Sequence, residues 1–174
     1  APLAARVLAE NYQGQGENRL IVVGYDRRFM AEDFAKTAAD ALIEAGFDVL
    51  LSETYAPTPA FSWAAKQQNA LGALVITASH NPANYLGLKV KGAFGGSVSP
   101  EVTKKIEALL TNPQQPATIA GKVDYFDPWS SYCDGLRVKV NIDKIKQAIA
   151  AKKIRIFADV MHGAAATGLS RLLD

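Results

Sequence analysis

LGALVITASHNP, Leu71 to Pro82, is the stretch on which the reading of this chain turns. Its front, Leu71 to Ala78, is almost free of polar groups and carries the β-branched run Val75, Ile76 and Thr77, which predicts a strand buried on both faces. Its back, TASHNP at Thr77 to Pro82, sets a serine beside a histidine where that strand ends, and closes in the turn chemistry of Asn-Pro. A serine in that place is a candidate nucleophile and, on position alone, equally a turn residue.

Upstream, the same pattern recurs. Leu20 to Tyr25 is a second short apolar run that reads as a buried strand and ends in GYDRR. Met30 to Ala45 is alanine-rich, with Phe34, Ala38, Leu42 and Ala45 predicted to face the core, Glu32 and Asp33 in the first turn and Gly46 as the stop. Asp48 to Leu51 is a further strand. Thr58 as N-cap and Pro59 as first helical residue predict a helix to about Asn69. Ahead of all these, Leu3, Val7 and Leu8 mark a helix near the first residue, and Gln13 to Arg19 form a polar connector.

Downstream, Gly87 to Lys91 predicts a strand, and Gly92, Gly95 and Gly96 a loop in which positive φ is needed. Ser99 and Pro100 open a helix with the apolar stripe Val102, Ile106, Leu109 and Leu110, stopped by Asn112 and Pro113; Pro113 to Gly121 then reads as a surface loop. Asp127 and Pro128 start a helix whose Trp129, Tyr132, Leu136 and Val140 are spaced to face a core, and a short helix follows from Ile142 to Ala151. Ile154 to Val160 predicts a strand, His162 to Gly168 a turn of small residues, and Leu169 to Asp174 part of a helix.

Strands alternating with helices over short connections predict an α/β fold: a three-layer α/β/α arrangement with a mainly parallel, mixed sheet. The restart of the strand-to-helix rhythm after Ala150 divides the chain into 1–150 and the truncated start of a second domain, 151–174. A first residue other than Met, a helical pattern at the outset and another cut at the end read as a piece of a larger protein.

Composition narrows the function. With 49% hydrophobic and 21% charged residues in 174, the chain is globular, and no apolar run approaches a membrane span. The 19 basic and 17 acidic residues are scattered, which speaks against a nucleic-acid partner needing a concentrated positive face. The single cysteine, Cys133, has no partner for a disulfide and no second ligand nearby for zinc, so it reads as a buried bystander.

Ligands of open parallel sheets sit outside the carboxyl ends of the strands. Three such ends carry Asp26, Arg27 and Arg28; Ser52 and Glu53; and Ser79, His80 and Asn81, with Lys89 close in sequence. Together they suit phosphate, because a guanidinium donates a planar pair of hydrogen bonds and a histidine or lysine can move a hydroxyl proton. Singly, each is also an ordinary turn or surface residue. The G-x-S-x-G turn of serine hydrolases is absent.

TASHNP, followed by YLGLKV at Tyr85 to Val90, resembles the active-site loop of the α-D-phosphohexomutases, the phosphoglucomutase and phosphomannomutase superfamily. GYDRR is similar to the family's G-x-D-x-R turn, Pro57 to Pro59 to its PTP, and DVMHGAAATG at Asp159 to Gly168 to the opening of its second domain. The resemblance implies a phosphoserine at Ser79, giving its phosphoryl group to the free hydroxyl of a hexose phosphate and recovering another from the resulting bisphosphate. It implies His80 and Lys89 as catalytic partners of Ser79, and Asp26, Arg28 and Asn81 as organisers of the phosphoserine loop. Mg2+ is the implied metal, joined to Ser79 through its phosphate, with its remaining ligands expected in the missing part of the second domain. Glucose 1,6-bisphosphate is the implied activator, hexose phosphates and the missing domains of the same chain the implied partners, and the cytoplasm the implied location.

The family's acidic metal loop, its sugar-binding loop and its carboxy-terminal phosphate domain do not occur in these residues, so turnover is not expected of them alone. Leu86 stands where the family has asparagine. That departure keeps a catalytically silent phosphosugar-binding paralogue as a rival, beside phosphoglucosamine mutase; the choice among glucose, mannose and glucosamine stays open. An unpaired strand at Ile154 to Val160 predicts some self-association.

Overall fold

The computed structural model describes residues 1–14, 18–111 and 117–174. Its helices are α1 (Pro2–Glu10), α2 (Ala31–Glu44), α3 (Thr58–Gln67), α4 (Pro100–Ala108), α5 (Ser130–Lys139), α6 (Ile142–Ala150) and α7 (Gly168–Leu173). Its strands are β1 (Leu20–Tyr25), β2 (Asp48–Ser52), β3 (Gly72–Ile76), β4 (Leu88–Gly92) and β5 (Val123–Phe126). They form one sheet in the order β4-β3-β1-β2-β5, in which β4 runs antiparallel to β3 and the other pairings are parallel.

The continuous apolar runs become central strands because both faces of the sheet are covered. From β1, Ile21, Val23 and Tyr25 point into a cluster with Ala31, Ala35, Ala39 and Leu42 of α2 and with Ala4, Ala5 and Leu8 of α1. Val22 points the other way, toward Ala60, Phe61, Ala64 and Ala65 of α3 and toward Trp129 and Cys133. Phe61 is fully buried, a burial that contributes roughly 1.5–3 kcal/mol. It seats directly over Gly24, where a Cβ would stand 2.3 Å from its ring, so a residue without a side chain is needed there.

Several details depart from the sequence pattern. The buried face of α2 is Ala31, Ala35, Ala39 and Leu42, while Phe34 is half exposed. Small alanines let the helix approach the sheet closely, and the bulky Phe34 is turned to the side. At α3, Pro57 is the N-cap and Thr58 and Pro59 lie in the first turn, so Thr58 does not cap the helix. Of the three loop glycines only Gly95 adopts positive φ, at 85°. Leu110 is exposed rather than part of an apolar stripe. The helix stop at 112–113 and most of the front of the loop at 113–121 lie outside the described residues.

β5 has no forerunner in the sequence reading. It is an edge strand, with Asp124 and Tyr125 exposed, and it forms on the open side of β2. Residues 154–160, expected as a strand, form none: Ile154 and Ile156 are partly exposed, Phe157 is 90% exposed, and none of the described strands pairs with them. A strand needs a neighbour's backbone as well as an apolar pattern. Beyond them α7 docks on α5, where Arg171 pairs with Asp127 at 3.2 Å and Arg137 donates to the Arg171 carbonyl at 2.5 Å. Among the described residues no helix is long and apolar enough to cross a membrane.

Candidate functional site

The chain leaves β1 for β2 on one side and returns to β3 on the other, so the crevice between β1 and β3 is the switch point where a parallel sheet offers room for a ligand. Register fixes what meets there. Tyr25 pairs with Ile76, which brings the next residues, Asp26 and Thr77, side by side, and the Asp26 N–H donates to the Ile76 carbonyl at 3.0 Å.

From that pairing a closed network grows. The Thr77 hydroxyl donates to Asp26 Oδ2 at 2.6 Å and accepts from the Ser79 N–H at 3.0 Å. Asp26 Oδ1 accepts from the Arg28 N–H at 3.0 Å, and Asp26 Oδ2 lies 3.3 Å from Arg28 Nε. The Arg28 guanidinium then gathers the loop. Nη1 donates to the carbonyls of Pro82 and Tyr85 at 2.8 and 3.1 Å, and Nη2 to those of Ser79 and Asn81 at 3.1 and 2.6 Å. A guanidinium has five N–H donors; the four on Nη1 and Nη2 of Arg28 are all donated to carbonyls, and Nε stands in the ion pair with Asp26.

The network holds Ser79 at φ 59°, a left-handed conformation that an L residue with a side chain adopts at a cost of about 1–3 kcal/mol. Its Oγ lies 3.4 Å from His80 Nδ1. Lys89, opposite Val75 in the β3–β4 ladder, reaches the same space from the antiparallel strand. Two residues on, Lys91 donates to Ser97 Oγ at 2.8 Å, and burial, with a smaller part from the Lys89 charge, lowers its pKa below the ordinary lysine value.

These groups line an open cavity of about 620 Å3, within the range of small-molecule sites. Asp26, Arg28, Ser79, His80, Asn81 and Lys89, the six residues singled out from the sequence, all lie on its wall. Ser52 and Glu53 do not: Ser52 is buried and its hydroxyl donates to the Thr54 carbonyl, and the loop after β2 reaches the cavity through Pro57 and Thr58 instead. Leu86 packs against the apolar cluster of α1 and α2 and is not among the residues of the cavity wall.

Three contributors have no individual site role in the sequence reading, which names Arg27 only within the strand-end group that suits phosphate. Thr77 is visible as part of the motif, but its bridging role needs the β1–β3 register. Arg27, with its guanidinium 5.0 Å from the centroid of the Tyr55 ring, lines the cavity opposite in direction to Arg28. The turn at Met161 to Ala164 forms another part of the wall, and with it both histidines of the chain, His80 and His162, border one cavity.

Magnesium finds only a partial fit. Among the described residues no group of three or more His, Cys, Asp or Glu comes together to hold a metal ion. The carboxylate on the cavity wall, Asp26, is engaged by Arg28 and Thr77. These residues do not make a magnesium site by themselves.

Residues 2–117 match the family model described as phosphoglucomutase/phosphomannomutase, alpha/beta/alpha domain I. A phosphoglucomutase of Staphylococcus saprophyticus is 25% identical over 178 aligned positions, covering 95% of this chain and 31% of the relative. One from Staphylococcus aureus is 34% identical over 112 positions, covering 64% and 20%. The chain thus spans about a third or less of the length of the curated relatives it matches. A Thermus thermophilus structure described as a phosphomannomutase superposes at a TM-score of 0.67 with 36% identity, covering 80% of this chain and 31% of that one. The parafusin phosphoglucomutase of Paramecium superposes at 0.73 over 99% of this chain and 38% of that one; at 18% identity it shows the shared fold.

Proposed function

The chain belongs to the phosphoglucomutase/phosphomannomutase family, and from that premise we propose that Ser79 carries a phosphoryl group exchanged with hexose phosphates, interconverting the 1- and 6-phosphates. In this reading the free hydroxyl of the hexose monophosphate attacks the phosphorus on Ser79. The new O–P bond forms as the bond to Oγ breaks, the hydroxyl proton leaves to a base, and Oγ is reprotonated. The bisphosphate then presents its other phosphate, Oγ attacks it, and the isomeric monophosphate departs.

The observation that supports this best is the construction around Ser79. Its backbone is held on both sides by the Thr77–Asp26–Arg28 network, while its Oγ faces His80 and the open cavity. A hydroxyl so presented suits repeated loading and unloading in place. His80, at 3.4 Å, is the group positioned to hand a proton to Oγ as it leaves phosphorus, and Lys89 to meet phosphoryl oxygens. Asp26, Arg28 and Asn81 fix the loop.

Magnesium in this reading binds the phosphate on Ser79, consistent with its habit of using phosphate oxygens with a few carboxylates, which come from outside these residues. Glucose 1,6-bisphosphate is the reagent that restores an empty Ser79. The reading takes 1–150 as the phosphoserine domain and 151–174 as the beginning of the next, in a cytoplasmic enzyme whose hexose is glucose or mannose. The 174 residues alone are expected to show no turnover.

The test is made on the complete polypeptide of which these residues form a part. Incubated with glucose 1,6-bisphosphate and magnesium, it gains one phosphoryl group by intact mass, placed on Ser79 by peptide mapping and absent from Ser79→Ala. Hexose phosphate binding without any label on Ser79 would overturn the mutase reading in favour of a silent binding protein.

A further inference from the structure

We propose that Arg27 is a substrate-binding residue that donates to the phosphate of the incoming hexose phosphate, from the wall of the cavity toward Tyr55. The inference rests on the phosphosugar reading above and adds a contact to it. It starts from the unlike situations of two adjacent arginines. Arg28 turns toward the serine loop, where its Nη groups donate to four carbonyls and its Nε pairs with Asp26. A phosphate entering the cavity finds the Nη N–H groups of Arg28 already donated to the loop.

Arg27 turns the other way. Its guanidinium lies over the Tyr55 ring, 5.0 Å from the centroid, on the loop between β2 and α3. No carboxylate pairs with it among the described residues, whose ion pairs employ Arg28, Lys36, Arg137 and Arg171. The contact with the ring positions the guanidinium, and no hydrogen bond or ion pair among the described residues takes its N–H groups, so the fork remains available. Arg27 borders the cavity shared with Ser79, Thr58 and Lys89. A planar, restrained fork without a competing acid is the chemistry that receives a phosphate monoester in bidentate fashion.

The chemistry also predicts a division of labour. Arg28 sets the position of the loop and is indifferent to ligand, whereas Arg27 reads the ligand's charge and leaves the loop alone. Replacing Arg27 therefore weakens phosphosugar binding without disturbing the bonds that hold Ser79.

The experiment uses the 174-residue chain carrying Ser79→Ala, so that no phosphoryl transfer can occur, titrated with glucose 1-phosphate and followed by 15N–1H correlation spectra. The Arg27 side-chain Nε–H signal is expected to shift with the titration and to stay put with glucose alone. Arg27→Gln is expected to bind about tenfold more weakly, the lower end for a charged hydrogen bond because the site is open to water. Arg27→Lys, which keeps charge but not the fork, falls between. Lys104→Gln on exposed α4, which removes the same charge elsewhere, stays within about twofold. Binding of Arg27→Gln within about twofold of the parent, or an equal Arg27 shift with unphosphorylated glucose, overturns the proposal. Either result leaves the phosphoryl label on Ser79 untouched as a separate test of the mutase reading.

Discussion

Replacing Asp26 with asparagine tests whether the Ser79 loop is held as the network describes. The carboxylate receives the Thr77 hydroxyl at 2.6 Å and the Arg28 N–H at 3.0 Å and pairs with Arg28 Nε at 3.3 Å. The side chains of Arg28 and Asp26 are 15% and 12% exposed, so the pair is neither a surface ion pair nor a fully buried one. Surface pairs contribute about 0–1 kcal/mol, and removing one partner of a buried pair costs about 3–5 kcal/mol. The present geometry sits between, at about 2–3 kcal/mol.

Asparagine keeps the shape and reverses the function of one atom. Its amide nitrogen would face either the Arg28 backbone N–H, in place of Oδ1, or both Arg28 Nε–H and the Thr77 hydroxyl, in place of Oδ2, and that hydroxyl already accepts from Ser79 N–H. The loss is thus concentrated on the loop. Urea denaturation should show stability lower by about 2–3 kcal/mol, and hydrogen exchange should show the Ser79 amide less protected by a factor of about 30 for each 2 kcal/mol. A double-mutant cycle with Thr77→Val should give a coupling of about 1–2 kcal/mol, because both changes remove the same bond. Asp26→Asn within about 0.5 kcal/mol of the parent, or a coupling of zero, would refute the reasoning.

Three further outcomes follow from other parts of the molecule. Since Ser79 stands at φ 59°, Ser79→Gly should be more stable than Ser79→Ala by about 1 kcal/mol in thermal or urea unfolding, and the reverse order would show that the backbone is not strained there. Burial alone would raise the Asp127 pKa, yet hydrogen bonds from Ser130 and the Trp129 N–H, with Arg171 nearby, hold it below the ordinary 3.8. A depressed folded pKa stabilises above the unfolded value and is lost as pH falls through the folded one, so Asp127→Asn should flatten the loss of stability below about pH 4, by under about 1 kcal/mol for so exposed a pair, and an unchanged acid limb would contradict this. The exposed Ile156 and Phe157 should make the chain self-associate with rising concentration in light scattering, and Phe157→Lys should suppress it; a clean monomer throughout would count against an adhesive segment.

The parts of the fold legible in the sequence are those whose environment is two-sided. β1 runs from Leu20 to Tyr25, the extent of its apolar run, because a strand covered on both faces needs apolar residues at every position. β5 needs little of its own: with Asp124 and Tyr125 turned to solvent it is defined by the free edge of β2, which no local pattern announces. The face of α2 departs from its pattern for a related reason. Size suggests Phe34 as the inward residue, but the sheet accepts Ala35 and Ala39 at a closer approach. At the site, the strand-end rule brings Asp26, Ser79, His80 and Lys89 to one cavity, whereas the contrary directions of Arg27 and Arg28 depend on χ angles that sequence does not encode.

Charge decides how these two arginines must share the work. A phosphoserine carries close to two negative charges near neutral pH. Of the acidic, lysine and arginine side chains on the cavity wall, Asp26 and Arg28 offset each other in their 3.3 Å pair, and Lys89 and Arg27 remain. Two cations against about two negative charges bring the loaded cavity close to neutrality. A hexose monophosphate then adds nearly two more negative charges, so that Lys89 and Arg27, the cations left on the described wall, face both phosphates at once. Productive binding to the loaded serine therefore calls for positive charge from beyond these residues, from a metal ion or from another part of a longer polypeptide. The unloaded serine leaves Lys89 and Arg27 uncompensated and should bind monophosphate unaided. On this reasoning the chain, of which no turnover is expected, should still bind sugar phosphate, and more tightly when Ser79 is empty than when it is phosphorylated.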